Sequence, residues 1–87
     1  MAHMVIGHQV EDYGKWRAAY DAHADIRDGA GESRVYQDVA EPNRVTVVVD
    51  GELDKLRAFM SMPELKTVMK EAGVIGEPQV MFVNDVT

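Results

Sequence analysis

The fold is decided by the central segment Ser33–Asp50, whose sequence is SRVYQDVAEPNRVTVVVD. Its two apolar, β-branched runs predict strands at Ser33–Ala40 and Arg44–Asp50. The residues between them, Glu41-Pro42-Asn43-Arg44, predict a tight turn, because proline presets φ and asparagine tolerates the bend. The segment is therefore an antiparallel hairpin, and the elements on either side of it determine the topology.

A strand and a helix precede the hairpin. Met4–Val10 is apolar and β-branched, which predicts the first strand. Asp12 is placed to cap a helix that we expect to run to about Ala30 and to stop at Gly31.

A helical region and a strand follow the hairpin. The first helical run extends through Phe59, and a capping box that includes proline, Ser61-Met62-Pro63-Glu64, predicts a new or kinked helix ending at Gly73. Gln79–Val83 or beyond is the last strand. The order β-α-β-β-α-β predicts a ferredoxin-like α+β fold, with a four-stranded antiparallel sheet and its helices on one face.

Both faces of this sheet are predicted to be apolar. Side chains alternate across a strand, so Val45, Val47 and Val49 oppose Val48, while Val80 and Phe82 oppose Met81 and Val83. One layer of helices covers one face only, and the other would expose more apolar surface than soluble monomers usually tolerate. We therefore expect a homodimer in which the two sheets pack against each other.

Composition bounds the remaining possibilities. The chain has 87 residues, enough for one domain, which we place at residues 4–87; Met1-Ala2-His3 resembles a cloning remnant. A net charge of −6 argues against nucleic-acid binding, and the absence of cysteine excludes disulfides and thiolate chemistry. No apolar run approaches the roughly 20 residues that span a bilayer, so we expect no membrane association and a cytoplasmic location.

The chain resembles the dimeric α+β barrel superfamily, and within it the antibiotic biosynthesis monooxygenase type of domain. The resemblance covers nearly the whole chain from Met4, and it is carried by His8, Asp12-Tyr13, Trp16-Arg17, Tyr20-Asp21, Arg34-Val35-Tyr36 with Asp38, Pro42-Asn43, Phe59 with Ser61, Pro63-Glu64-Leu65-Lys66 and Ala72-Gly73-Val74. It implies a homodimeric barrel with a pocket between each sheet and its helices. Members of this superfamily include cofactor-free oxygenases, polyketide cyclases and haem-degrading enzymes.

The first helix carries the main candidate site. At about 100° per residue, one face of it presents five side chains with polar tips: Tyr13, Trp16, Tyr20, His23 and Arg27. Such a band is typical of a small-molecule pocket, which is mostly apolar with a few convergent polar groups. Two alternatives stay open. His23 could be a structural histidine bonded to a backbone carbonyl, and Arg27 could pair with Asp28, Glu32 or the last helical carbonyls.

Two strand residues are further candidates. His8 shares a strand face with Ile6 and Val10, and it either meets the helical band or points into the dimer barrel. Tyr36 could contribute a phenol to the pocket, whereas its neighbours on that face, Arg34 and Asp38, could form a surface ion pair. We predict no metal site, since His8 and His23 would need a third ligand.

Two functions fit these residues. The first is an enzyme without cofactor that acts on an aromatic or polyketide-like molecule, as an oxygenase or a cyclase. His23 would be the base or orienting group, with His8 second; Arg27, Tyr20 and Tyr36 would stabilise an anion, while Tyr13 and Trp16 would line the site and Trp16 would stack on the rings. The alternative is a non-catalytic homodimer that binds a ligand or serves a structural role.

Overall fold

A computed structural model describes residues 2–24 and 31–87. One four-stranded antiparallel sheet has the strand order β2-β3-β1-β4 and carries the helices on one face. The elements, in chain order, are β1 (Ala2–Val10), α1 (Tyr13–Ala22), β2 (Glu32–Gln37), β3 (Arg44–Gly51), α2 (Leu53–Met60), α3 (Pro63–Glu71) and β4 (Val74–Asn84). The predicted ferredoxin-like α+β fold is confirmed, with its second helical region divided in two.

The core is built on the two central strands. Alternate residues of β1 and β3 are buried, and they all point to the helical layer. Met4, Val45 and Val49 are almost completely buried there, as is Leu56 of α2 above them. This two-residue period is the one that the sequence predicts, because any shift of register by one residue would expose the whole apolar set.

The first helix ends earlier than predicted. Asp12 caps it as expected, since its carboxylate accepts a hydrogen bond from the backbone N–H of Lys15 at 2.8 Å. Instead of continuing to about Ala30, α1 ends at Ala22, and His23 at the C-cap leaves helical geometry with φ −107° and ψ 31°. Residues 25–30 lie outside the described part of the chain.

The predicted capping box at Ser61 is wrong. Met62 occupies the N-cap of α3, without a side-chain hydrogen bond, and Pro63 begins that helix. The Ser61 hydroxyl instead donates to the carbonyl of Arg57 at 2.9 Å, which satisfies a group at the end of α2. The serine therefore ends one helix and does not begin the next.

The first and the last strand of the chain both begin earlier than predicted. Strand β1 begins at Ala2, and His3 bonds to the carboxylate of Asp50 on β3. Strand β4 begins at Val74, because a register shift against β1 accommodates the segment with Gly76, whose φ is +71°, and Pro78. The segment Gly76-Glu77-Pro78 is therefore an irregularity within a strand.

The face of the sheet away from the helices exposes apolar side chains. Met81 and Val83 lie on this face of the edge strand β4, where Met81 is 59% exposed, and Tyr36 lies on this face of the opposite edge strand β2, 49% exposed. Val5 and Val48 face each other in the middle, half-buried. At one end, Asp50 accepts hydrogen bonds from His3 and Arg34, and these hold the pKa of its carboxyl below the usual range.

In residues 2–24 and 31–87, no helix has the length and apolarity needed to span a membrane.

Truncating Leu56 tests this description of the core. Leu56→Ala should lower the free energy of unfolding by about 2–5 kcal/mol, because it leaves a cavity in a fully buried site. Leu53→Ala on the same helix, where the leucine is 36% exposed, should cost less than about 1 kcal/mol. Urea denaturation measures both variants, and equal losses would contradict the packing described here.

Candidate functional site

A cavity of about 70 Å³ lies between the sheet and the helices. Aliphatic, sulfur and phenyl groups from β1, β3, α2 and α3 form most of its wall. Four side chains with polar atoms complete the wall, namely His8 from β1 and Trp16, Tyr20 and His23 from α1 and its C-cap. Apart from its small volume, an apolar chamber with a few polar groups on one side has the lining of a small-molecule site.

His8 is the least satisfied polar side chain in the described structure. It is only 8% exposed, and neither ring nitrogen has a hydrogen-bond partner among residues 2–24 and 31–87. Burial disfavours the charged imidazole and lowers the pKa of His8 below its usual value of 6.5. A neutral imidazole presents one donor and one acceptor, and no residue in the described ranges satisfies either.

His23 is bonded on one side, and no residue in the described ranges 2–24 and 31–87 bonds to its other ring nitrogen. Its Nδ1 lies 2.8 Å from the carbonyl oxygen of Ala19. A carbonyl oxygen only accepts, so Nδ1 carries the hydrogen, and Nε2 of the neutral ring keeps its lone pair. The backbone-bonded histidine and the cavity-lining histidine, which the sequence left as alternatives, are therefore combined in one residue.

The aromatic residues of α1 form a continuous row beside these histidines. The rings of Trp16 and Tyr20 are stacked, with centroids 5.0 Å apart, and the His8 ring lies 5.4 Å from the Trp16 centroid. The Tyr20 hydroxyl hydrogen-bonds to the hydroxyl of Ser33 on β2, and the guanidinium of Arg17 lies 5.4 Å from the Tyr20 ring centroid. These contacts fix the Tyr20 ring at the edge of the cavity.

Two other predicted site residues, Tyr13 and Tyr36, do not line this cavity. Tyr13 packs against Trp16 with ring centroids 6.0 Å apart, but it lies outside the wall. Tyr36 lies on the opposite face of the sheet, because it alternates with Val35, which faces the helices. Arg27 lies outside the described residues. The predicted pair of Arg34 with Asp38 is wrong: Arg34 pairs with Asp50 at 3.2 Å.

Several contributors to the site are not among the predicted site residues. Ser33 and Arg17 act through Tyr20, and Phe59, Leu65 and Met69 close the cavity from the helical side. Helical periodicity marks the last three as core but does not distinguish core from cavity wall. No three histidine, aspartate or glutamate side chains in the described ranges lie close enough to hold a metal ion.

Solved structures with the same fold cover almost the whole chain. A putative antibiotic biosynthesis monooxygenase from Bordetella bronchiseptica is 18% identical, with a TM-score of 0.75 over 99% of this chain and 97% of its own. SnoaB, a cofactor-independent oxygenase from Streptomyces nogalater, is 10% identical, with a TM-score of 0.78 over 99% of this chain and 93% of its own. A putative antibiotic biosynthesis monooxygenase from Nitrosomonas europaea is 10% identical, with a TM-score of 0.74 over the full length of both chains.

At these identities the comparison establishes the fold alone, which is the one that these monooxygenase-like proteins share. No protein-family model matches the sequence, and no curated protein does.

The lowered pKa of His8 predicts a pH dependence of stability. The unfolded chain binds a proton at this histidine near pH 6.5 and the folded chain only at lower pH, so the free energy of unfolding should fall as pH drops below about 6.5. His8→Leu should reduce this fall. Urea denaturation of both proteins at pH 8 and pH 5.5 measures the difference, and equal falls in the two proteins would contradict the desolvation of His8.

Proposed function

We propose that the chain is a cofactor-independent oxygenase that acts on an electron-rich aromatic or polyketide-like molecule at the cavity between the sheet and the helices. The observation that supports this most directly is His8, a buried imidazole that lines the cavity with both nitrogens unpartnered among the described residues. An unsatisfied buried polar group costs stability, which favours a role in binding or catalysis over a purely structural one. The fold shared with SnoaB adds to this argument.

The reaction needs a base and a dry chamber. His8 accepts a proton from an acidic CH₂ of the substrate, and the resulting carbanion passes one electron to O₂. The substrate radical and superoxide then combine into a C–O bond, and the peroxide anion takes the proton back from the imidazolium. Loss of water from this hydroperoxide leaves a carbonyl group, so that R₂CH₂ and O₂ give R₂C=O and H₂O.

The other cavity residues suit supporting roles in this scheme. Trp16 is near enough to His8 for its ring to stabilise the imidazolium, since cation–π attraction acts within about 6 Å. The Nε2 atom of His23 can accept a hydrogen bond from a substrate hydroxyl, and the phenol of Tyr20 offers a polar contact at the cavity edge. The anion-stabilising role of Arg27 stays a prediction from the sequence, as does a cytoplasmic location.

Oxygen uptake tests the proposed activity. A dihydroxyanthrone has an acidic CH₂ between electron-rich rings, so the protein should accelerate its uptake of O₂ above the rate in buffer. His8→Gln should lower this rate about 10²-fold or more, as expected for loss of a general base. His3→Gln makes the same change on the opposite face of the sheet and should leave the rate unaltered.

Three outcomes would contradict the proposal. O₂ uptake at the buffer rate would exclude oxygenase action on this class of molecule. Consumption of the substrate without O₂ uptake would favour a cyclase. Binding of the anthrone without turnover would favour the non-catalytic alternative.

We further propose that a second copy of the chain covers the open sheet face. The support is the apolar set on that face, with half-buried Val5 and Val48 in the middle, exposed Met81 and Val83 on the edge strand β4 and exposed Tyr36 on the opposite edge strand β2. Burial of apolar surface contributes roughly 25 cal/mol per Å², so two such faces gain by packing together.

A charge on the open face should therefore weaken association. The wild-type chain should sediment as a dimer at micromolar concentration, and Met81→Lys should shift it towards monomer, because a lysine is poorly tolerated inside an apolar interface. Val39→Lys introduces the same charge at a fully exposed position on the β2–β3 turn and serves as the control. A wild-type monomer at micromolar concentration would overturn the dimer proposal.

A further inference from the structure

The inner cavity is too small for the ligand that the proposed function requires. Its volume is about 70 Å³, whereas an engineered protein cavity that binds benzene alone has a volume of about 150 Å³. Only the reacting edge of an aromatic molecule with several rings fits beside His8. The remainder of the ligand needs additional space that adjoins this cavity.

A groove on the other side of α3 adjoins this inner cavity. This groove lies between α3 and β4 and has a volume of about 510 Å³. Leu65 and Met69 line both spaces, so these two side chains are the partition between them. Met69 is half-buried, and a methionine has three rotatable bonds, which makes it a deformable wall. Val80 on the groove floor pairs with Ile6 on the cavity floor, so the two floors are continuous.

The rim of the groove carries two lysines. Lys66 and Lys70 are four residues apart on α3 and both line the groove, where the helical rise separates them by roughly 6 Å along the axis. Like charges at this spacing destabilise a helix, and none of the ion pairs found among residues 2–24 and 31–87 includes either lysine. The groove wall also contains Glu77, so its charged residues sum to one positive charge in a chain of net charge −6.

We propose that this groove holds the remainder of the substrate and that Lys66 and Lys70 bind a carboxylate on it, which makes the substrate an aromatic carboxylic acid. This inference rests on the proposed function for the position of the reacting edge beside His8. It assigns three specificity-determining residues: the two lysines select the charge, and Met69 sets how far the rings extend into the inner cavity.

Binding of a matched ligand pair tests the inference without turnover. Anthraquinone-2-carboxylate and its carboxamide share the same rings and differ in charge. Trp16 is the only tryptophan and lines the inner cavity, so quenching of its fluorescence reports entry of the rings. The carboxylate should bind about tenfold more tightly than the amide at low salt, and the preference should shrink as salt screens the lysines.

Four variants separate the parts of the proposal. The double variant Lys66→Gln/Lys70→Gln should abolish the preference for the carboxylate and leave the affinity for the amide unchanged. Lys15→Gln/Lys55→Gln removes the same charge from α1 and α2, away from the groove, and should keep the preference. Met69→Ala should tighten the binding of both ligands by removing the partition, whereas Met69→Leu, which conserves volume, should change it little.

The inference and the proposed function can fail separately. Equal affinities for the two ligands, an unchanged preference in the Lys66→Gln/Lys70→Gln variant, or no binding of the carboxylate up to millimolar concentration would each overturn the inference. A charge-selective groove without O₂ uptake from the anthrone would leave the inference standing and remove the oxygenase proposal. O₂ uptake from the anthrone without a preference for the carboxylate would overturn the inference and leave the oxygenase proposal standing.

Discussion

The alternation of side chains along β1 is the constraint on which the rest of the structure depends. It places His8 on the same face as Met4, Ile6 and Val10, beneath the helical layer and beside Trp16. An imidazole in that position loses its water without gaining a partner in the described structure, which is why its charged form is disfavoured. The same alternation sends the other residues of the strand to the open face, so one sequence pattern determines both the cavity and the exposed apolar surface.

The sequence predicts the fold well because the signals that determine it are local and repeated. The valines of β3, the turn at Pro42 and the order of the elements are sufficient for the sheet. The residues at which helices and strands begin and end are less predictable. They depend on contacts with residues distant in sequence, or on which of two possible hydrogen bonds a single side chain makes. Ser61 illustrates this point: its hydroxyl can cap the next helix or bond back to Arg57, and the pattern of residues does not distinguish the two.

The candidate site is predictable in part for the same reason. Helical spacing groups Trp16, Tyr20 and His23 on one face, and these three do line the cavity. The orientation of His8 was open at the level of sequence, because a strand residue faces the helices or the other side according to a register that the sheet as a whole fixes. Tyr36 was assigned to the pocket, yet its position along β2 directs it to the open face.

The direct test of the account is the protonation of His8 in the folded protein, observed through the ring nitrogens by long-range ¹H–¹⁵N NMR between pH 8 and pH 5. Burial predicts that the His8 ring becomes half doubly protonated only below pH 6.5, and the proposed site predicts that its nitrogen shifts move when an aromatic ligand enters the cavity. A ring that is half doubly protonated at pH 6.5, with shifts indifferent to the ligand, would contradict the account.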